Sequence, residues 1–434
     1  MRRNFFQRFV QTEALSGLIL FVCALLAFSI ANSPWEPLYH RLWEIPFSIG
    51  SGSRAISLSL HQWINDALMA VFFLLVGLEI KRELLAGELT SRKKAALPIA
   101  AAIGGMVVPA LIYLCFNPRG ATAHGWGIPM ATDIAFALGA LALIAPGAPT
   151  SVKVFLAALA IADDMGAVLV IAIFYSGALA SGPLLAAGAV ILLLATFNLV
   201  GCKKLWPYLI AGIALWVFVH ESGVHATIAG VVLALTIPSR TCINTVEFSR
   251  EARALLDKFD RTETGDLLTL TSKGQQDALY ALDRASSGAT SPIVALEHAL
   301  HRFSAFVVMP LFAFANAGVR IGGPIAHGSI ALGVLAGLVV GKPVGITLAS
   351  FLAVKLRIAN LPAGMGWGML HGAAWLGGIG FTMSLFITTL AFDDHALVDS
   401  AKLAVLGGSL LALVAGAVAL NAASRAAQQP EEEE

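Results

Sequence analysis

The stretch Val154–Phe174, VFLAALAIADDMGAVLVIAIF, decides the fold class: a run of apolar and small residues interrupted at its middle by two adjacent carboxylates, Asp163 and Asp164. A membrane-crossing helix needs about 20 apolar residues, and this stretch supplies them. Each carboxylate at the centre of such a helix costs about 3 kcal/mol on insertion scales, so the pair stands about 6 kcal/mol behind an apolar equivalent. A pair neutralised by protonation and buried without a role is the structural alternative. One polar group would already fix packing, so the second points to function.

The rest of the chain repeats the same apolar character. Hydrophobic residues make up 57% of the 434 residues, charged residues only 13%, and the mean hydropathy is +0.79, values outside the soluble globular class. The sequence predicts an all-α polytopic membrane protein with about twelve spans, at 14–32, 61–85, 96–116, 123–144, 151–175, 182–200, 205–219, 224–237, 292–316, 329–355, 367–391 and 400–421. The net charge of +1 carries little information beside the placement of basic residues. Arg2, Arg3 and Arg8, the Lys81–Lys94 loop, Lys203 and Lys204, the 240–302 segment, and Lys355 with Arg357 fall in alternate loops. The intervening loops hold only Arg41, Arg54, Arg119 and Arg320, and the one with Asp393, Asp394 and Asp399 is acidic. This alternation places both termini in the cytoplasm. Arg2-Arg3 followed by an apolar run also fits a secretory or twin-arginine signal. It reads as the first span, because its removal would invert the charge pattern. Cys23, Cys115, Cys202 and Cys242 are dispersed and read as free thiols.

One transmembrane transporter domain therefore covers 1–434. Within it, IPFSIGSGSRAISLSL alternates apolar and small polar residues around a Gly-Ser-Gly turn, predicting either a short outer β-hairpin between the first two spans or an ordered loop. A hairpin is marginal alone, and pairing with a second copy across a homodimer would support it. The insertion at 239–291 carries helix spacing in EFSREARALLDKFDRTE and a linker pattern in SSGATSP. The 422–434 end, finishing in QQPEEEE, reads as a disordered acidic tail.

Two spans contain helix breakers near their centres. GIPMATDIAFALGALAL has Pro129 ahead of Thr132 and Asp133, and AAWLGGIGFTMSLFITTL has Gly377, Gly378 and Gly380. Each is second in a set of three spans, so 97–175 and 329–421 are candidate inverted repeats whose interrupted helices, the fourth and eleventh spans, cross at the midplane. Their ends leave partial charges in a low-dielectric setting. Asp133 offsets positive N-terminal ends, and Lys342, buried in LAGLVVGKPVGITLASFL, offsets negative C-terminal ends, pairs with a carboxylate, or exchanges protons itself.

Asp133, Asp163, Asp164, Thr132 and Lys342 together provide hard oxygen ligands and titratable groups, without thiolates or clustered imidazoles. That chemistry suits sodium or lithium. A carboxylate that coordinates a cation when ionised can hold a proton instead, and this competition is the chemistry of antiport. Adjacent helical residues point about 100° apart. Asp164 is expected to be the main cation ligand, and Asp163 the second ligand or the partner of Lys342.

GIPMATDIAFALG, FLAALAIADDMGAV, SGVHATIAGVVLA, PLFAFANAG, GKPVGI and GIGFTMSLFI resemble the bacterial NhaA sodium/proton antiporters over nearly the whole chain. That family is itself a type case of the inverted-repeat architecture, so the repeat reading and the resemblance are not independent. The resemblance implies a secondary active transporter and not an enzyme. It implies electrogenic exchange by alternating access, with protons moving in and sodium or lithium out across the bacterial inner membrane, and no cofactor. It implies that Asp163 and Asp164 bind the ion, with Thr132 beside them, and that Asp133 and Lys342 compensate the helix breaks. It also implies alkaline activation through Glu79, Arg82 and Glu83 in GLEIKREL with Glu297, His298 and His301 in LEHALH, and a pH role for His225.

Taken by residue chemistry, the two charged stretches are equally well solvated helix ends, and His298 and His301 with Glu297 are a weak metal pattern. His225 reads equally as a satisfied polar group. Asp66 lines an ion entrance or stabilises a helix N-terminus. The 239–291 insertion, the acidic tail and Arg302, where the family pattern has proline, depart from compact members. They bear on regulation rather than on the transport site.

Three other functions fit less well. An intramembrane aspartyl protease resembles a Tyr-Asp plus Gly-x-Gly-Asp pattern, whereas GIGF ends in Phe381 and the adjacent aspartates share a helix. A sodium-coupled symporter of a small organic anion needs donors where this chain has carboxylates. A passive channel needs no site that alternates between proton and sodium. No nucleic-acid partner is expected.

Overall fold

A computed structural model describes residues 2–50, 56–241, 243–261, 273–321 and 328–428. In lipid every backbone N–H and C=O must be satisfied within its own segment, and the apolar stretches accordingly fold as helices: α1 Arg2–Ala31, α2 Glu36–Glu44, α3 Leu60–Ala86, α4 Arg92–Phe116, then after a 3-10 segment at Ala121–Met130, α5 Ile134–Ile144. They continue as α6 Thr150–Phe174, α7 Ser181–Leu199, α8 Leu205–Glu221, α9 Ile228–Thr236, α10 Thr245–Arg261 and α11 Lys273–Ala289. The last five are α12 Pro292–Asn316, α13 Gly328–Lys355, α14 Trp367–Gly377, α15 Phe381–Ala391 and α16 His395–Gln428.

Among the described residues seven helices are long and apolar enough to cross a membrane singly, and three bent pairs add to them. Two of the bent pairs are the interrupted spans: the 3-10 segment and α5 meet at 43°, and α14 and α15 at 44°. The third, within α1 and α2, turns by 114°. All twelve expected spans contain helix. The eighth is shorter than its 224–237 reading, because His225–Thr227 form a turn and the helix proper occupies only Ile228–Thr236. Gly223, at φ 83°, lies ahead of it in the turn that ends α8, in a conformation side chains disfavour.

The expected hairpin is present: β1, Pro46–Ile49, pairs antiparallel with β2, Ile56–Ser59, with Ser48 opposite Ser57 and their hydroxyls 2.8 Å apart. Its turn, with Arg54, lies outside the described residues, as do Cys242 and the 429–434 end. Cys23, Cys115 and Cys202 are free thiols.

Two expectations are corrected here. SSGATSP is not a linker, because α11 runs through Ala289 and only Thr290 and Ser291 separate it from α12. Ser291 accepts from the Val294 N–H and Pro292 occupies the first helical position, a start signal strong enough to begin a helix without slack. The tail expected to be disordered from 422 instead continues α16 to Gln428, since NAASRAAQ is rich in good helix formers. Within the insertion, α10 covers the expected EFSREARALLDKFDRTE helix as far as Arg261, its last two residues lying outside the described ones, and packs against α11.

Two apolar cores organise the bundle. The larger joins α1, α4, α5, α6 and α12–α16, and the smaller gathers α7, α8 and α9 against α3 and α12. In the larger core α4 and α13 lie backbone to backbone. A Cβ on Gly104 would collide with the Gly345 carbonyl, and one on Gly345 with the Gly104 carbonyl. Beside that contact a Cβ placed on Gly105 would stand 2.8 Å from Ile346 Cγ1, so the same glycine run lets α13 close on α4 next to Lys342. A π-helical turn at Gly337–Gly341 immediately precedes Lys342 and sets its direction.

Candidate functional site

The breaks in the two interrupted spans face each other. Between them the Asp133 N–H donates to the Ile379 carbonyl at 2.7 Å, and the Ser384 hydroxyl donates to the Ile128 carbonyl at 2.7 Å. Asp133 caps two helix starts at once. Its Oδ1 accepts from the Phe136 N–H of α5 at 3.0 Å, while its Oδ2 accepts from the N–H of Thr382 in α15 at 3.2 Å and from the Thr382 hydroxyl. One carboxylate thus meets the positive ends of both downstream half-helices.

Lys342 lies on the other side of the crossing. Its Nζ is 2.5 Å from Asp163 Oδ2 and donates to Thr132 Oγ1 at 2.8 Å, and Thr132 in turn donates to the Gly377 carbonyl at the end of α14, also at 2.8 Å. The lysine reaches the negative helix end through Thr132 rather than directly. Asp163 and Lys342 are each 1% exposed, and so is Asp164. Yet Asp164 differs from its neighbour. Neither of its carboxylate oxygens has a hydrogen-bond partner, and Asp163 Oδ1 also lacks one. Five predicted residues, Thr132, Asp133, Asp163, Asp164 and Lys342, therefore gather around one crossing.

The charged stretches of α3 and α12 also meet, at one end of the bundle. Arg82 lies 3.3 Å from both Glu83 and Glu297, and His301 stands 4.0 Å from Glu79. The Arg82–Glu297 contact has the closeness of an ion pair without hydrogen-bond alignment. His298 follows Glu297 in the same turn of α12. Among the described residues no three His, Cys, Asp or Glu side chains form a metal-holding group.

At the opposite end of α3, Asp66 lies within a π-helical turn, Trp63–Leu68, past the first turn of the helix, so it does not serve as an N-terminal cap. It sits 3.9 Å from His225 and 3.8 Å from His220, and His225 is held by Thr227 at 2.8 Å. The two residues singled out separately, Asp66 and His225, are neighbours.

Sequence reasoning missed Thr382 and His220. Thr382 stands two residues after the glycine break in GIGFTM, where a hydroxyl at a new helix start is a recognisable signal. For His220 no local signal exists, since only the fold brings α8 to Asp66.

A family model described as Na+/H+ antiporter 1 matches residues 7–420. The chain belongs to this family. Similar proteins named Na(+)/H(+) antiporter NhaA occur in Oleidesulfovibrio alaskensis, 48% identical over 410 residues, covering 94% of this chain and 91% of that protein. The corresponding protein of Wolinella succinogenes is 48% identical over 406 residues, 93% of this chain and 90% of its own length. That of Helicobacter pylori strain J99 is 48% identical over 425 residues, 97% of this chain and 96% of its own. Family membership makes the chain a multi-pass membrane transporter whose exchanged ions are sodium and protons.

Proposed function

We propose that Asp164 is the principal ligand of the transported cation in this sodium/proton antiporter, with Asp163 and Thr132 completing the set. The observation that carries the reading is the carboxylate of Asp164, buried with both oxygens unpartnered one residue away from the Asp163–Lys342 pair. A buried unpaired carboxylate is costly. A proton removes the charge, and a hard monovalent cation balances it, so each ion displaces the other. Lithium meets the same oxygen preference.

Asp163 has one oxygen engaged by Lys342 and one without a partner. When a cation arrives, that unpartnered second oxygen is available as an additional hard ligand, and Lys342 is the group that gains or loses its partner. The pair and Asp164 together offer more protonation sites than one sodium ion can neutralise, which supports electrogenic exchange, with protons entering as sodium leaves. Alternating access is supported by the breaks, where the half-helices meet through a few discrete bonds, Asp133 to Ile379 and Thr382 and Thr132 to Gly377, that a second conformation can exchange.

The Glu79–Arg82–Glu83 and Glu297–His298–His301 group supports pH regulation at the cytoplasmic end. Asp66 supports an ion entrance at the outer end, and His225 beside it supports a pH response there. The basic loops support a bacterial inner-membrane location with both termini cytoplasmic, the two mid-span breaks support 97–175 and 329–421 as inverted repeats, and the exposed hairpin supports a homodimer paired through it. Proteoliposomes on a solid-supported membrane test the reading. A sodium pulse is expected to move charge in the wild type and not in Asp164→Asn, and an Arg82→Gln variant is expected to move charge over a shifted pH range.

A further inference from the structure

We infer that His371 is a positioning residue of the exchange reaction, pinning α14 to α13 so that the Gly377 carbonyl stays aligned with Thr132 and Lys342. The inference rests on the antiport reading and adds a residue to it. The Trp375 indole N–H donates to His371 Nε2 at 3.1 Å, within one turn of α14, and His371 Nδ1 lies 2.9 Å from the Thr347 hydroxyl on α13. An indole nitrogen can only donate, so Nε2 must accept, and the ring proton sits on Nδ1, directed to the Thr347 oxygen. This tautomer follows from the partners' chemistry. The two rings meet edge to face, with centroids 6.2 Å apart.

The consequence lies in how the two helices are joined. α13 carries Lys342 and, five residues on, Thr347; α14 carries His371 and, six residues on, Gly377. At 1.5 Å per residue those separations are about 7 and about 9 Å along the helices. Lys342–Thr132–Gly377 is one tie between α13 and α14, and Thr347–His371 is the second, nearer the α14 start. A single tie leaves a helix free to pivot about it, whereas two separated ties fix its direction. Near the first tie, a Cβ on Gly377 would stand only 2.8 Å from Ile346 Cδ1, so the helices have little slack for a tilt that keeps the contact. Without the His371 pin, α14, which still packs against α16, is held to α13 by hydrogen bonds at one point only, and the Gly377 carbonyl can shift relative to Thr132. The cation site would then lose the alignment of its threonine ligand.

The test is sodium-dependent exchange in membrane vesicles, reading KM for sodium and the maximal rate separately in His371→Leu, His371→Gln, Thr347→Val and the His371→Leu/Thr347→Val double variant. His371→Leu is expected to raise KM roughly three- to tenfold, the equivalent of one neutral hydrogen bond, at an unchanged amount of membrane-inserted protein. His371→Gln, whose amide both accepts from Trp375 and donates to Thr347, is expected to return KM to within about twofold of the wild type. Thr347→Val is expected to match the leucine variant, and the double variant to add nothing further. Equal KM in the Leu and Gln variants, or additive effects in the double variant, would overturn the pin. An inactive wild type would instead overturn the antiport reading and this inference with it.

Discussion

Lys342 Nζ stands 2.5 Å from Asp163 Oδ2, and Asp164, the next residue along the same helix, meets neither that lysine nor any other hydrogen-bond donor among the described residues. Two chemically identical neighbours therefore have opposite surroundings, because the helix points them about 100° apart. Asp163 is held by Lys342 through one oxygen, and on the proposed reading Asp164 is the carboxylate that takes up the ion.

This difference predicts opposite stability effects. Lys342→Met leaves Asp163 buried without its counter-charge and is expected to destabilise the protein by about 3–5 kcal/mol. Adding Asp163→Asn to Lys342→Met removes the stranded charge and is expected to recover most of the loss. Thermal unfolding in detergent checks both, and a double variant no more stable than Lys342→Met would contradict the pairing.

Asp164→Asn removes no hydrogen bond that the fold uses. Its melting temperature is expected to equal or exceed that of the wild type, while sodium binding by titration calorimetry disappears. A large drop in melting temperature would instead assign Asp164 a structural role.

Thr382 donates both its backbone N–H and its hydroxyl to Asp133, at the start of a buried half-helix. Thr382→Val removes the hydroxyl at nearly constant volume and is expected to cost about 1.5–3 kcal/mol, the range for a hydrogen bond to a charged group. Thr382→Ser is expected to retain most of the stability. Equal losses in the two variants would locate the effect in packing rather than in the Asp133 bond.

The helical character, the interrupted spans, the hairpin and the five central polar residues were legible in the sequence, because each rests on a local signal: apolar length, Pro or Gly at mid-span, a Gly-Ser-Gly turn, or a polar group where lipid disfavours one; the count of twelve spans exceeds the seven helices and three bent pairs that are long and apolar enough among the described residues. Apart from Thr382, whose place at a new helix start is a local signal, the missed features join separate elements. His220 and Asp66 are far apart in the chain, as are Thr347 and His371, and no periodicity announces such meetings. The two misplaced boundaries, at SSGATSP and after residue 422, lie where small and polar composition imitates disorder. A serine cap followed by proline decided the first, and a run of good helix formers the second.

The α4–α13 contact gives a packing test beside the site. Gly104→Ala drives a methyl into the Gly345 carbonyl and is expected to destabilise by about 1–3 kcal/mol or more. Because Lys342 sits on the displaced helix, sodium exchange is expected to fall as well. A variant with native melting temperature and native exchange rate would show that the two helices have slack at this point.

The most direct measurement uses everted membrane vesicles carrying a respiration-generated pH gradient, with sodium, lithium or potassium added across several pH values. The wild type is expected to collapse the gradient on addition of sodium or lithium, and Asp164→Asn to leave it standing. A wild type that leaves the gradient intact at every pH, with the protein confirmed in the membrane, would contradict the antiport assignment, and full collapse by Asp164→Asn would contradict the placement of the ion.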